Sequence, residues 1–145
     1  MLKTTLLHPE LLHALARAGH GARVLIADGN YPFSTGAAPG AARVYLNLAP
    51  GLVGATDVLR VLAAAIPIEA ALVMVPADGA PQPIFREFRK LLPPGLELTR
   101  RKRFEFYNEA RSPDVALVIA TGEQRRFANL LLVIGVVKAP DDKQP

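Results

Sequence analysis

Cysteine is absent from this chain of 145 residues. That excludes disulfides, zinc–thiolate sites, iron–sulfur clusters and thiol nucleophiles. Histidine is scarce: His8, His13 and His20 are the only three, all near the N-terminus. Their spacings of five and seven residues match no familiar ligand motif, so no metal is expected. Neither Gly-x-Gly-x-x-Gly nor Gly-x-x-x-x-Gly-Lys-Ser/Thr occurs, which removes the common phosphate-cradling loops. No apolar run of signal-peptide length follows Met1. The longest aliphatic stretch, 130–137, rises about 1.5 Å per residue as a helix and is too short to span a bilayer. These absences point to a cytoplasmic protein with no membrane partner.

What is present supports a folded core. Half of the residues are hydrophobic and 21% are charged, too apolar a balance for a disordered chain. The length fits one domain, expected over 1–138, with 139–145 as a loose polar tail ending in proline. Lys and Arg outnumber Asp and Glu by 17 to 13, giving a net charge of +4. That mild excess permits a nucleic-acid partner without requiring one.

Helix-like and strand-like pieces alternate along the chain. Pro9–Ala18 reads as a helix, with Pro9 at its first position and Gly19 as its stop. Thr56 and Asp57 look like the opening of a helix running through Ala65. Segment 82–92 is amphipathic, with Ile84, Phe85, Phe88, Leu91 and Leu92 on one face. A fourth helix is expected over 104–111. Strands are expected at Arg23–Ala27, 44–48, 70–75, 96–101 (an edge), Val115–Ala120 and 130–137. Aliphatic strands alternating with helices imply a three-layer α/β/α domain with a mostly parallel sheet. Ligands of such sheets sit beyond the carboxyl ends of the strands. That picks out the Gly- and Pro-rich loop 28–40 and the Thr121-Gly122-Glu123 turn.

Several residues are chemically suggestive. His20 lies between Gly19 and Gly21, where the backbone can take positive φ and a ligand can approach. Imidazoles exchange protons readily near neutral pH, so His20 reads as a proton shuttle, or as an ordinary helix C-cap. His8 and His13 read as surface or capping residues. Asp28, directly after a strand, suits a base or a binder of sugar hydroxyls; an Asx turn is the plainer reading. Arg100-Arg101-Lys102-Arg103 followed by Phe104, Phe106 and Tyr107 is a basic run with aromatics, as nucleic-acid binders use. The spacing of Phe104 and Tyr107 suits core packing instead, and no nucleic-acid partner is expected. Asn129, with donor and acceptor on one side chain, suits a sugar hydroxyl.

In order and spacing these pieces resemble a known family. They are His8-Pro9-Glu10-Leu11-Leu12, Gly19-His20-Gly21, Ala27-Asp28 with Tyr31-Pro32, Arg103-Phe104-Glu105-Phe106-Tyr107, Thr121-Gly122-Glu123, and Phe127-Ala128-Asn129 with the strand behind it. Together they resemble the D-ribose pyranase/L-fucose mutarotase family up to about Lys138, and Arg-Phe-Glu-Phe-Tyr looks like the fucose branch. The resemblance implies a cofactor-free isomerase that interconverts the ring forms of a monosaccharide, an L-fucose-like sugar here. It implies His20 as proton donor, and Asp28, Arg103, Phe127, Ala128 and Asn129 as sugar-binding. It also implies a homo-oligomer, a decamer or smaller ring, with sites between subunits. A non-catalytic sugar-binding or transport-accessory protein on the same scaffold is the alternative. One departure stands out: Phe127 occupies the position where the family usually has tyrosine.

Overall fold

The fold was obtained as a computed structural model, which describes residues 1–142. The last residues of the expected tail, 143–145, lie outside the described residues. Ten elements follow one another: α1 (Pro9–Ala18), β1 (Arg23–Ala27), β2 (Ala42–Tyr45), α2 (Ala55–Ala63), β3 (Ile68–Val75), α3 (Pro83–Leu91), β4 (Leu98–Lys102), α4 (Arg103–Ala110), β5 (Val115–Ala120) and β6 (Leu130–Ile134). No helix among the described residues is long and apolar enough to cross a membrane.

Local chemistry sets the element ends. His8 caps α1, its Nδ1 accepting the Leu11 N–H at 3.4 Å. Pro9 follows at a position whose N–H has no helical partner to lose. Asp57 caps α2 from inside its first turn, its carboxylate accepting the Gly54 N–H at 3.0 Å. The helix therefore opens at Ala55, before the expected Thr56–Asp57 start. β2 likewise lies at Ala42–Tyr45 and not at 44–48. Its register sets Ala42 beside Leu117 and Tyr45 beside Ala120, where β5 ends. Leu48, past that end, is 83% exposed. β6 stops at Ile134, short of Val137, because the Gly135 N–H leaves the ladder for the Pro67 carbonyl.

The six strands form one sheet in the order β2-β5-β1-β6-β3-β4. Five run parallel, and β6 runs antiparallel between β1 and β3. Strand side chains alternate between two cores. Val24, Ile26, Val73, Ile119 and Leu132 join the helices α1, α2 and α3 through residues such as Leu11, Leu59, Phe85 and Phe88. Leu25, Leu72, Met74, Val118 and Leu131 join Phe106 and Ala110 of α4, with Tyr31, Ala37 and Ala38 of the 28–40 loop. This is the expected three-layer arrangement, with one outer layer made of a single helix and a loop. Phe106 and Ala110, one turn apart, are the α4 residues facing the sheet. Phe104, expected to pack, is 74% exposed, and Tyr107 is half-buried.

One rim of the sheet is braced with unusual density. The Thr121 hydroxyl donates to the Ala27 carbonyl at 2.7 Å, tying the end of β5 to the end of β1. The Gly29 N–H donates to the Glu123 carbonyl at 2.8 Å. The Glu123 carboxylate is buried and accepts the Ala55 N–H at the start of α2, at 3.1 Å. It also accepts the Arg125 guanidinium, which pairs in turn with Glu87 of α3. Burial alone pushes the Glu123 carboxyl up, but the Arg125 guanidinium and the backbone donors outweigh it and hold the group down at about 2. Between Thr121 and Glu123, a Cβ at Gly122 would lie 2.4 Å from both the Ala49 and Leu52 carbonyl oxygens. No side chain fits there.

A carboxyl held low stabilises the folded state fully above its unfolded value near 4.5 and loses that contribution as pH falls toward 2. Urea midpoints should therefore drop over that window. Glu123→Gln should flatten the drop and cost about 2 kcal/mol at neutral pH. Gly122→Ala should destabilise by about 1–3 kcal/mol in the same titration, because the 46–54 loop must move aside.

Candidate functional site

The carboxyl ends of β1 and β5 and the start of α4 meet at the braced rim. Because β6 is reversed, its beginning lies there too. The register sets Ile26 opposite Leu130, so Asp28 and Asn129, 101 positions apart in sequence, become neighbours. They bond reciprocally. The Asp28 N–H donates to Asn129 Oδ1 at 2.8 Å, and Asn129 Nδ2 donates to Asp28 Oδ2 at 3.1 Å. Asp28 Oδ1 accepts the Asn30 N–H at 3.0 Å, which is the Asx turn that loop chemistry suggests. Both side chains are buried. Burial pushes the Asp28 carboxyl above its usual range, against the pull of these hydrogen bonds.

This pair borders a pocket of 290 Å³. Arg103 and Tyr107, one turn apart on α4, line one side, and Arg126 and Phe127 line another. Met74 and Tyr31 complete it from β3 and the loop. Arg103 Nε donates to the Tyr107 hydroxyl at 3.3 Å, and its guanidinium lies 5.7 Å from the Tyr107 ring and 5.9 Å from the Phe104 ring. Tyr31 meets Tyr107 edge to face at 5.5 Å and spends its own hydroxyl on the Gly36 carbonyl. Phe127 has φ 58°, a left-handed conformation uncommon for an aromatic residue and typical of functional turns. Ala128, fully buried, follows it. Asp28, Arg103, Phe127, Ala128 and Asn129, scattered in sequence, thus converge.

His20 does not join them. It sits before β1, between Gly19 and Gly21 at φ 88° and 81°, so both glycines use the freedom expected of them. Its Nε2 lies 3.0 Å from Glu69 Oε2, near the start of β3. The five residues of β1, at about 3.3 Å each, separate this rim from the Asp28 rim by roughly 16 Å. Within one chain the imidazole cannot reach the pocket.

Sequence reasoning missed Tyr107 and Arg126 as pocket residues and Glu69 as the partner of His20. Tyr107 was findable as the residue one turn after Arg103. Glu69 was not: it is set by a register shift between Ile68 and Ala70 in the pairing with β6. Of the basic run, Arg101 pairs with Glu109 and Arg103 enters the pocket, leaving no continuous stripe. A larger cleft of 830 Å³ lies between α1 and β2; of the residues singled out above it holds His13, which is exposed as expected of a surface group.

Comparison with known proteins identifies the family. The chain matches the RbsD / FucU transport protein family over residues 1–137. It is 34% identical to the fucose mutarotase of Homo sapiens, covering 91% of this chain and 90% of that protein. It is 31% identical to the D-ribose pyranase of Paracidovorax citrulli (strain AAC00-1), covering 94% and 98%. The structure of Bacillus subtilis RbsD complexed with D-ribose superposes with a TM-score of 0.81 at 28% identity, over 95% of this chain and all of that one. By fold and by sequence, the chain belongs to the RbsD / FucU family.

Proposed function

We propose that this protein is a monosaccharide mutarotase, accelerating exchange between the ring forms of an L-fucose-like sugar. The observation that carries this reading is the buried, reciprocally bonded Asp28–Asn129 pair at a small pocket beside Arg103. Relatives that share most of the chain are a fucose mutarotase and a D-ribose pyranase, which supports the isomerase class.

The reaction needs only protons. A base takes the proton of the anomeric hydroxyl, and the oxygen's electron pair forms the carbonyl. The bond from the anomeric carbon to the ring oxygen breaks, and an acid protonates the departing oxygen. Rotation and reclosure by the reverse steps give the other anomer or ring size. Asp28, a carboxylate made more basic by burial, suits the pocket side of this exchange. Asn129 fixes a hydroxyl through the second hydrogen of Nδ2, the first being spent on Asp28. Arg103 offers a planar fork already steadied by Tyr107, and Phe127 forms a wall, with the Ala128 backbone beside it as the proposed further contact. His20 acts as the proton donor, with Glu69 orienting its ring.

Because His20 and Asp28 occupy opposite rims, the working site combines His20 of one copy with the pocket of another. The protein is therefore a homo-oligomer, with a domain spanning 1–138 and a tail at 139–145. Its cysteine-free composition suits a cytoplasmic setting.

Exchange NMR on L-fucose and D-ribose tests the reading. The protein should accelerate anomer exchange, and His20→Ala and Asp28→Asn should each lower the rate about 10²–10⁴-fold while the fold survives. Saturable sugar binding with unchanged exchange rates would instead establish the non-catalytic alternative. Co-refolding the two inactive variants in equal amounts should restore activity at about a quarter of the sites, those that inherit both native residues. No recovery would place each site within one chain.

A further inference from the structure

The pocket's charges do not balance. Four arginines outside it are paired with carboxylates, Arg23 and Arg101 with Glu109, Arg60 with Asp57, and Arg125 with Glu87 and Glu123, and Arg43 is spent on backbone carbonyls. Arg103 and Arg126, both lining the 290 Å³ pocket, have no carboxylate within salt-bridge distance among the described residues. The carboxylate lining that pocket, Asp28, already has Oδ1 engaged by Asn30 and Oδ2 by Asn129. Arg103 is steadied against two aromatic rings without being neutralised.

Position 127 adds to the asymmetry. Phe127 brings no hydroxyl to a pocket whose Tyr31 hydroxyl is spent on Gly36. Arg126, its neighbour, offers five N–H donors instead. A sugar hydroxyl accepts single N–H bonds from a guanidinium and leaves its charge in place, whereas a carboxylate or phosphate accepts the parallel N–H pair of an arginine fork and neutralises it.

We infer that Arg103 and Arg126, on two walls of the pocket, form an anion subsite, so that the preferred substrate is a monosaccharide bearing a carboxylate or phosphate at the end away from the anomeric carbon. This rests on the mutarotase reading and specifies its substrate class. Asp28 and Asn129 hold the ring hydroxyls, and the two arginines hold the anionic substituent. Arg126 is a specificity residue, acting on the substituent and not on the reacting atoms.

Anomer-exchange NMR on sugars matched in ring stereochemistry tests this: L-fucose, L-galactose, L-galacturonate and L-galactose 6-phosphate, which differ only at carbon 6. At low ionic strength at least one of the two anionic sugars should exchange with about ten-fold higher efficiency than L-galactose. Which one does so identifies carboxylate or phosphate as the substituent. The preference should shrink in concentrated salt, where charges are screened within about 3 Å at 1 M. Arg126→Gln should lower the ratio of anionic to neutral efficiency at least five-fold. The ratio is read within each variant, so a general loss of activity cancels. Acceleration of L-fucose with no anionic preference, or a preference unchanged in Arg126→Gln, overturns the subsite and leaves the mutarotase reading standing. No acceleration of any of the four sugars overturns both.

Discussion

The reversed strand β6 is the constraint on which the rest of the molecule depends. In a fully parallel sheet only the residues after each strand reach the ligand-binding rim. Reversing the strand between β1 and β3 brings the residue before it to the same rim. That is how Asn129 comes to face Asp28. It also puts Phe127 and Ala128, in the tight turn leading into β6, against a pocket and not against the opposite end of the sheet. Leu130, Leu131 and Leu132 are all fully buried, so the strand that sets this geometry is also the centre of both cores. Slipping it by one residue would exchange its faces and move Asn129 away from its partner at once.

The pocket inherits its rigidity from packing around it. Glu123 links the turn after β5 to the N-terminus of α2 and, through Arg125, to α3. Thr121 and Gly29 connect that turn to the loop carrying Asp28. On the other side, Arg43 donates to the carbonyls of Phe33, Ala38 and Ala41, which holds the loop 28–40 down on the sheet. The loop has little regular structure, yet many of its backbone groups have partners. A buried carboxylate that accepts both backbone and guanidinium donors is well suited to this task, since every lone pair has a defined direction.

Much of this was legible in the sequence, and the reasons are local. Aliphatic runs such as Arg23–Ala27 and Val115–Ala120 can only be buried strands, and the amphipathic pattern through Phe85 and Phe88 can only be a helix against a core. Asp28 was readable as a rim residue because it follows its strand directly. What was not legible depended on register. Nothing in the order of residues says that Leu130 begins an antiparallel strand, so the meeting of Asp28 and Asn129 was reached only through family resemblance. Element ends were misplaced where a backbone bond, not composition, decides them, as at Gly135 and Gly54. Phe104 is exposed because the face of α4 turned to the sheet runs through Phe106 and Ala110, and a residue two positions from Phe106 lies off it.

The separation of His20 from the pocket by the full length of β1 has a kinetic consequence. On the proposed reading, a lone protomer carries two incomplete halves, one at each end of its sheet. With the site assembled from two copies, the number of working sites grows with the square of protein concentration while subunits are mostly dissociated. It becomes linear only once association is complete. Under that proposal the reaction order in enzyme reports the assembly equilibrium directly, and dilution would silence the chemistry without unfolding a single chain.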